Sequence, residues 1–182
     1  PAGAIYEPEY ITRITNRLTE LGFNYKLGKT LYERHGYLAG TDEMRAQELM
    51  EYYKDPTIKG ILTMRGGWGC ARILDLIDYE VIVANPKILI GFSDITSLVN
   101  AVYKKTGVIT FHGPCGYSTW TEFSTNYVTL AIAGGAPFTM KNPSDYLDGL
   151  KTLTAGKAEG ELVGGNLTVM VSMIGTPYEP DW

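Results

Sequence analysis

The sequence predicts an α/β fold: a mostly parallel sheet with helices on both faces. Three observations carry that reading. Strand-length apolar runs alternate with helix-length amphipathic runs from residue 9 to about 133, the pattern of strand–helix–strand crossovers. The strand-like runs are apolar throughout, as strands covered on both faces are. Three turns rich in glycine or polar residues, 65–69, 91–94 and 112–116, each follow such a run. Right-handed crossovers place all three on the carboxyl rim of one sheet, where ligands bind.

The elements follow in order. Tyr10, Ile11, Ile14, Leu18 and Leu21 recur at helical spacing over Glu9 to Leu21, and Gly22 ends the run. Phe23-Asn24-Tyr25-Lys26-Leu27 alternates like a strand. Residues 28–41 read as a long loop. Thr41 caps a helix over Asp42 to Tyr53, whose first-turn acids Asp42 and Glu43 suit the helix dipole. Gly60 to Met64 reads as a buried strand, Arg65-Gly66-Gly67-Trp68-Gly69 as a turn, and Cys70 to Ile77 as a short helix. A strand over 87–90, a turn at Gly91-Phe92-Ser93-Asp94 and a helix over 95–105 closed by Gly107 come next. Val108 to Phe111 is a further strand, and Ser124 to Ala133 a helix. Pro137 to Met140 reads as an edge strand, Glu159 to Val163 as another, and Asn166 to Ile174 as a helix. Two domains are expected: an α/β domain over 1–155 carrying the Ser93 turn, then over 156–182 a linker and the start of a C-terminal domain. No strand precedes the first helix. A doubly wound sheet begins with a central strand, so one is expected upstream of Pro1.

Composition narrows the function classes. The 182 residues hold 45% hydrophobic and 20% charged residues, ordinary for a globular domain, with a net charge of −4. No basic stripe occurs, so neither nucleic acid nor an anionic membrane is an expected partner. Val81-Ile82-Val83-Ala84 is stopped by Asn85-Pro86, and no run approaches the ~20 apolar residues of a membrane span. Cys70 and Cys115 fit neither a disulfide framework nor a CxxC metal site, and read as buried thiols in a reducing compartment. With two histidines in the chain, a His-rich metal site is excluded, and no cofactor is expected.

Ser93 stands between a strand and a helix, where a sharp turn can lift a hydroxyl above the sheet edge beside helix N–H groups. That suits acyl transfer. A serine there can equally be a plain N-cap, and Ile95 stands where such turns usually carry glycine. Residues 65–69 are open to three readings: a tight turn, an oxyanion donor or a phosphate loop. They match neither GxGxxG nor the Walker pattern. His112, in Phe111-His112-Gly113-Pro114, is the histidine placed near Ser93; it is either a base or a rim residue. His35 lies in the long loop. Asp94, Asp42 and Glu43 are the carboxylates near the rim, and none completes a convincing triad. Asp75, Asp78 and Glu80 read as solvated charge, and Glu159 and Glu161 as the exposed face of a strand.

Taken together, five blocks resemble a known family: Tyr37-Leu38-Ala39-Gly40-Thr41-Asp42-Glu43-x-Arg45, Arg65-Gly66-Gly67-Trp68-Gly69, Ile90-Gly91-Phe92-Ser93-Asp94-Ile95-Thr96, Phe111-His112-Gly113-Pro114 and Gly164-Gly165-Asn166-Leu167. Their order and spacing are similar to those of the LD-carboxypeptidases, serine peptidases that include the microcin C self-immunity peptidase. The resemblance implies a cytoplasmic hydrolase of murein recycling that cuts between an L-centre and a terminal D-amino acid. It implies Ser93 as nucleophile and the Asp94 and Gly67 N–H groups as oxyanion hole. Gly66, Trp68, His112 and Asn166 become substrate-site residues, and His112 is demoted from base. The family's triad Glu and His lie in a C-terminal domain after the Gly-Gly-Asn-Leu block, so the resemblance places both beyond Trp182. It implies no cofactor and a peptide or muropeptide substrate, and it allows a homodimer. An aminoacyl-nucleotide substrate of microcin type is the alternative within the family; a non-catalytic peptide-binding module is the alternative outside it. A nucleotide-binding domain is disfavoured by the failed phosphate motifs.

Overall fold

The computed structural model describes residues 7–143 and 149–182. Three strands form one sheet in the order β1 (Gly60–Leu62), β2 (Ile88–Gly91), β3 (Phe111–His112), and both pairings are parallel. Ile61 is in register with Leu89, and Gly91 with His112. The expected parallel α/β architecture is therefore present. Among the described residues nothing pairs with the outer edge of β1. The segment up to Tyr6, ahead of the first helix, lies outside the described residues.

Helix α1 (Pro8–Glu20) starts on a proline, whose fixed φ suits a first turn, and buries Ile14. Helix α2 (Asp42–Lys54) is capped as expected: Thr41 Oγ1 accepts from the Met44 N–H at 3.3 Å. Its buried face carries Ala46, Leu49, Met50 and Tyr53, and also Arg45. Residues 29–32 and 71–76 form short 3₁₀ helices. Helix α3 (Tyr79–Ala84) is one the sequence reading missed; the Asp78 carboxylate starts it by accepting from the Glu80 and Val81 N–H groups. Helix α4 (Ile95–Thr106) leaves the end of β2 and closes on Gly107, whose φ of 70° is the left-handed C-terminal geometry. Helix α5 is Glu122–Ala133 and α6 is Leu167–Met173. Leu49, Tyr53, Ile73, Ile82, Leu89, Ile95, Leu98 and Val102 form the centre of the core around the sheet. Each such side chain contributes about 1.5–3 kcal/mol of burial.

Three expected strands are absent. Phe23 to Leu27 has no strand neighbour; the Phe23 N–H instead closes the end of α1 on the Leu18 carbonyl, and Lys26 pairs with Asp55. Alternation fits a strand but cannot supply the partner a strand requires. Pro137 to Met140 is not a strand either, and Phe138 stacks on Tyr127. Glu159 to Val163 is irregular, with Leu162 fully exposed, so its glutamates line no strand face. The expected strand over Val108 to Phe111 is displaced to Phe111–His112, and ahead of it the Thr110 hydroxyl donates to the Val99 carbonyl at 2.9 Å.

The chain divides into two compact units. One reaches Ser118 and takes in Val163–Trp182; the other is Thr119–Leu162. The second unit holds α5, capped by Thr121 on the Ser124 N–H, and an aromatic run of Phe123, Tyr127 and Phe138.

Candidate active site

Gly91 ends β2 where no other residue fits: a Cβ there would stand 2.3 Å from Thr63 Oγ1 and 2.6 Å from Ile95 Cγ2. The chain then turns sharply. Ser93 has φ 65°, the left-handed region, and no other non-glycine among the described residues shares it. Such a conformation costs about 1–3 kcal/mol and persists where the surroundings impose it. The N-cap of α4 is Asp94, with no side-chain cap hydrogen bond. The capping role left open for Ser93 by the sequence is therefore not adopted. The Ser93 carbonyl accepts from the Thr96 N–H at 2.9 Å, which starts the helix, and the residue is half-buried.

The turn after β1 lies against this serine. A Cβ on Gly66 would stand 2.9 Å from Ser93 Cβ, 3.0 Å from the Phe92 carbonyl oxygen and 3.2 Å from the Asp94 nitrogen. Gly67 and Gly69 have φ of 115° and 136°, which other residues reach only with strain. The third turn joins them: the Gly113 N–H donates to the Gly91 carbonyl at 2.9 Å, and the Gly116 N–H to that of Thr63 at 2.9 Å. The three turns that the sequence placed on one rim thus meet there.

His112 is at the end of β3, its ring edge-on to Phe92 at 5.9 Å. Burial lowers its pKa, so the imidazole is neutral near pH 7. No hydrogen bond joins it to Ser93 among the described residues. Trp68 is exposed on the glycine turn with the Arg72 guanidinium 5.8 Å from its ring. Asn166 spends its side chain on capping α6, accepting from the Val169 N–H at 3.2 Å. Its own N–H donates to Thr96 Oγ1 at 2.9 Å, and Asn100 Nδ2 donates to the Gly164 carbonyl at 3.2 Å. The first turns of α4 therefore hold the Gly164-Gly165-Asn166 segment beside the Ser93 turn. His35 is exposed in a loop bridge with Leu38.

The bonds made by Asp94, Arg45 and Asp42 were not read from the sequence, which placed these three residues but not their partners. Asp94 is 5% exposed, and its carboxylate accepts from the Cys70 N–H at 2.9 Å. Arg45 is fully buried; it donates to the Gly69 carbonyl at 3.1 Å and to Asp42. Asp42 also takes a two-pronged pair from Arg72, which holds its carboxyl below the usual carboxylate range. A buried arginine carries no periodic signal of its own. Cys70 and Cys115 are both buried thiols, as expected. Burial first, and the Asp94 charge second, push the Cys70 thiol far up, so it stays protonated. No group of three or more metal-ligating side chains occurs among the described residues.

By class, then, the chain is a parallel α/β protein displaying a strained serine at the carboxyl end of a strand, between strand and helix. The family model described as the LD-carboxypeptidase N-terminal domain matches residues 1–113, and the chain belongs to that family. It is 44% identical over 168 residues to the probable murein peptide carboxypeptidase of Bacillus subtilis (strain 168), covering 90% of this chain and 52% of that protein. It is 33% identical over 186 residues to the murein tetrapeptide carboxypeptidase of Pseudomonas aeruginosa, covering 97% and 59%. The solved MccF-like protein from Bacillus anthracis str. Ames superposes with a TM-score of 0.87 at 32% identity, covering all of this chain and 62% of that one. The chain thus spans just over half the length of the curated relatives it matches.

Proposed function

We propose that the protein carrying this chain is a serine LD-carboxypeptidase acting in peptidoglycan recycling in the cytoplasm. Its substrate is a murein tetrapeptide, from which it releases the terminal D-amino acid. The observation that carries this is the left-handed Ser93, set between β2 and α4 with the Gly66 turn packed against it. The family relationship supplies the substrate class.

In this reading Ser93 Oγ loses its proton to a histidine and attacks the amide carbonyl carbon. The developing oxyanion takes hydrogen bonds from the backbone N–H groups of Asp94 and Gly67. One such donor is worth about 3–4 kcal/mol in the transition state. The C–N bond breaks, the D-amino acid leaves with the proton as its amine, and water hydrolyses the acyl-serine. Gly66, Trp68, His112 and Asn166 border the substrate. A neutral His112 suits hydrogen bonding to a peptide amide. The base and its carboxylate partner come from the C-terminal domain that the resemblance assigns. No metal or organic cofactor enters the steps.

Mass spectrometry of D-alanine release from a muramoyl tetrapeptide tests the reading. Release from the LD-amide, and none from its LL isomer, is expected. Failure on both with a folded protein would overturn it. The second reading rests on the fit to the MccF-like structure: an aminoacyl-nucleotide amide as substrate. Preferential hydrolysis of such a compound over the tetrapeptide would favour it.

A further inference from the structure

The peptide unit between Gly69 and Cys70 is gripped at both polar atoms by buried charged side chains. Its carbonyl accepts from Arg45 at 3.1 Å, and its N–H donates to the Asp94 carboxylate at 2.9 Å. The two side chains arrive from different elements, Arg45 from α2 and Asp94 from the start of α4.

We propose that Asp94 is a positioning residue whose carboxylate, opposed by Arg45, fixes the glycine turn against Ser93. The inference rests on the serine-hydrolase reading for its catalytic consequence, but not for the brace itself. Three observations support it. First, an aspartate at a helix N-cap ordinarily turns its carboxylate onto its own helix, yet this one makes no such bond and reaches to the neighbouring turn. Second, Asp94 is buried, and among the described residues its carboxylate is in none of the ion pairs seen. Burying a charge is costly, so a residue needed only for packing would not carry one. Third, the braced turn has no side chains of its own to anchor it at Gly67 and Gly69, whose φ are 115° and 136°. Arg45 is in turn fixed by Asp42, which Arg72 holds from the surface.

Asp94 would then act twice at one site. Its backbone N–H is one proposed oxyanion donor, and its side chain holds the turn that supplies the other. The two donors are mechanically coupled through a single residue. Misplacing a reacting group by ~1 Å can cost about 100-fold in rate.

The test has two arms. In the intact protein, amide hydrogen exchange follows the Cys70 N–H in wild type and Asp94→Ala. Cys70 protection is expected to fall about 10-fold or more while the Leu98 and Val102 amides of α4 keep theirs. A uniform fall across α4, or none at Cys70, would overturn the brace. In the intact protein, D-alanine release should show kcat reduced about 10- to 100-fold in Asp94→Ala with KM within about threefold. Asp94→Asn keeps an acceptor oxygen for Cys70 and should recover kcat to within about fivefold of wild type. Equal damage from both substitutions, or an unchanged kcat per folded molecule, would contradict the positioning role. Should Asp94→Ala not fold, Asp94→Ser, too short to reach Cys70, takes its place. Full turnover in Ser93→Ala would remove the serine reading and leave the exchange arm to decide the brace.

Discussion

At Gly66 the absence of a side chain decides how close two turns can come. A methyl group there would stand 2.9 Å from Ser93 Cβ, 3.0 Å from the Phe92 carbonyl oxygen and 3.2 Å from the Asp94 nitrogen, the last two being backbone atoms that cannot swing aside as a side chain can. Gly66→Ala should therefore displace the turn and reduce kcat for D-alanine release by about 100-fold, at a stability cost of about 1–3 kcal/mol. An enzyme of wild-type kcat would contradict the close packing. Tyr53 poses the opposite case. Its ring is fully buried in the core, and its hydroxyl finds no hydrogen-bond partner among the described residues. Removing an unsatisfied buried hydroxyl relieves its desolvation cost. Tyr53→Phe is expected to leave the midpoint of thermal unfolding unchanged or raise it, with a gain of about 1 kcal/mol; a clear fall would point to a bound water or other partner for that oxygen.

Among the elements, α2 is tied to the glycine turn by charge as well as by apolar packing. The Arg72 pair, more than the Arg45 bond, depresses the Asp42 carboxyl. A carboxylate with a depressed native pKa contributes stability that is complete above its unfolded value of about 3.9 and is lost as pH falls through the native value. Unfolding midpoints should therefore fall below about pH 4, and fall less steeply in Asp42→Asn. Equal slopes in the two proteins would show that the pair contributes nothing to the acid limb. The connector over 163–166 is held differently, by neutral groups on α4. Gly165 has φ 148°, and a Cβ there would stand 2.4 Å from Thr96 Cγ2. Gly165→Ala should undock the segment and expose the Asn166 N–H, read as loss of amide protection at Asn166 with α4 retained. Undiminished protection there would mean the segment is held by something other than Thr96.

Over the whole molecule, what was legible followed from local chemistry. Thr41 and Gly107 announce their helix ends, because capping is a property of one residue and its immediate neighbours. The parallel sheet and its rim were legible because handed crossovers leave few alternatives. Phe23 to Leu27, Pro137 to Met140 and Glu159 to Val163 misled, since a strand is completed by a distant partner that alternation does not reveal. The Ser93 turn could be located but not decided. Serine serves a cap and a raised nucleophile equally well, and the difference lies in one φ angle. The Arg45–Gly69 and Asp94–Cys70 bonds each span 24 residues and bury charge, so no short motif shows them.

The central claim is that Ser93 is the nucleophile of an LD-amide hydrolysis. Turnover of a muramoyl tetrapeptide by the intact protein and by Ser93→Ala, measured as D-alanine released per folded molecule, tests it most directly. The account predicts a loss of about 10⁴-fold or more in Ser93→Ala, with unfolding behaviour close to wild type. A well-folded Ser93→Ala that still releases D-alanine at a substantial fraction of the wild-type rate would contradict it.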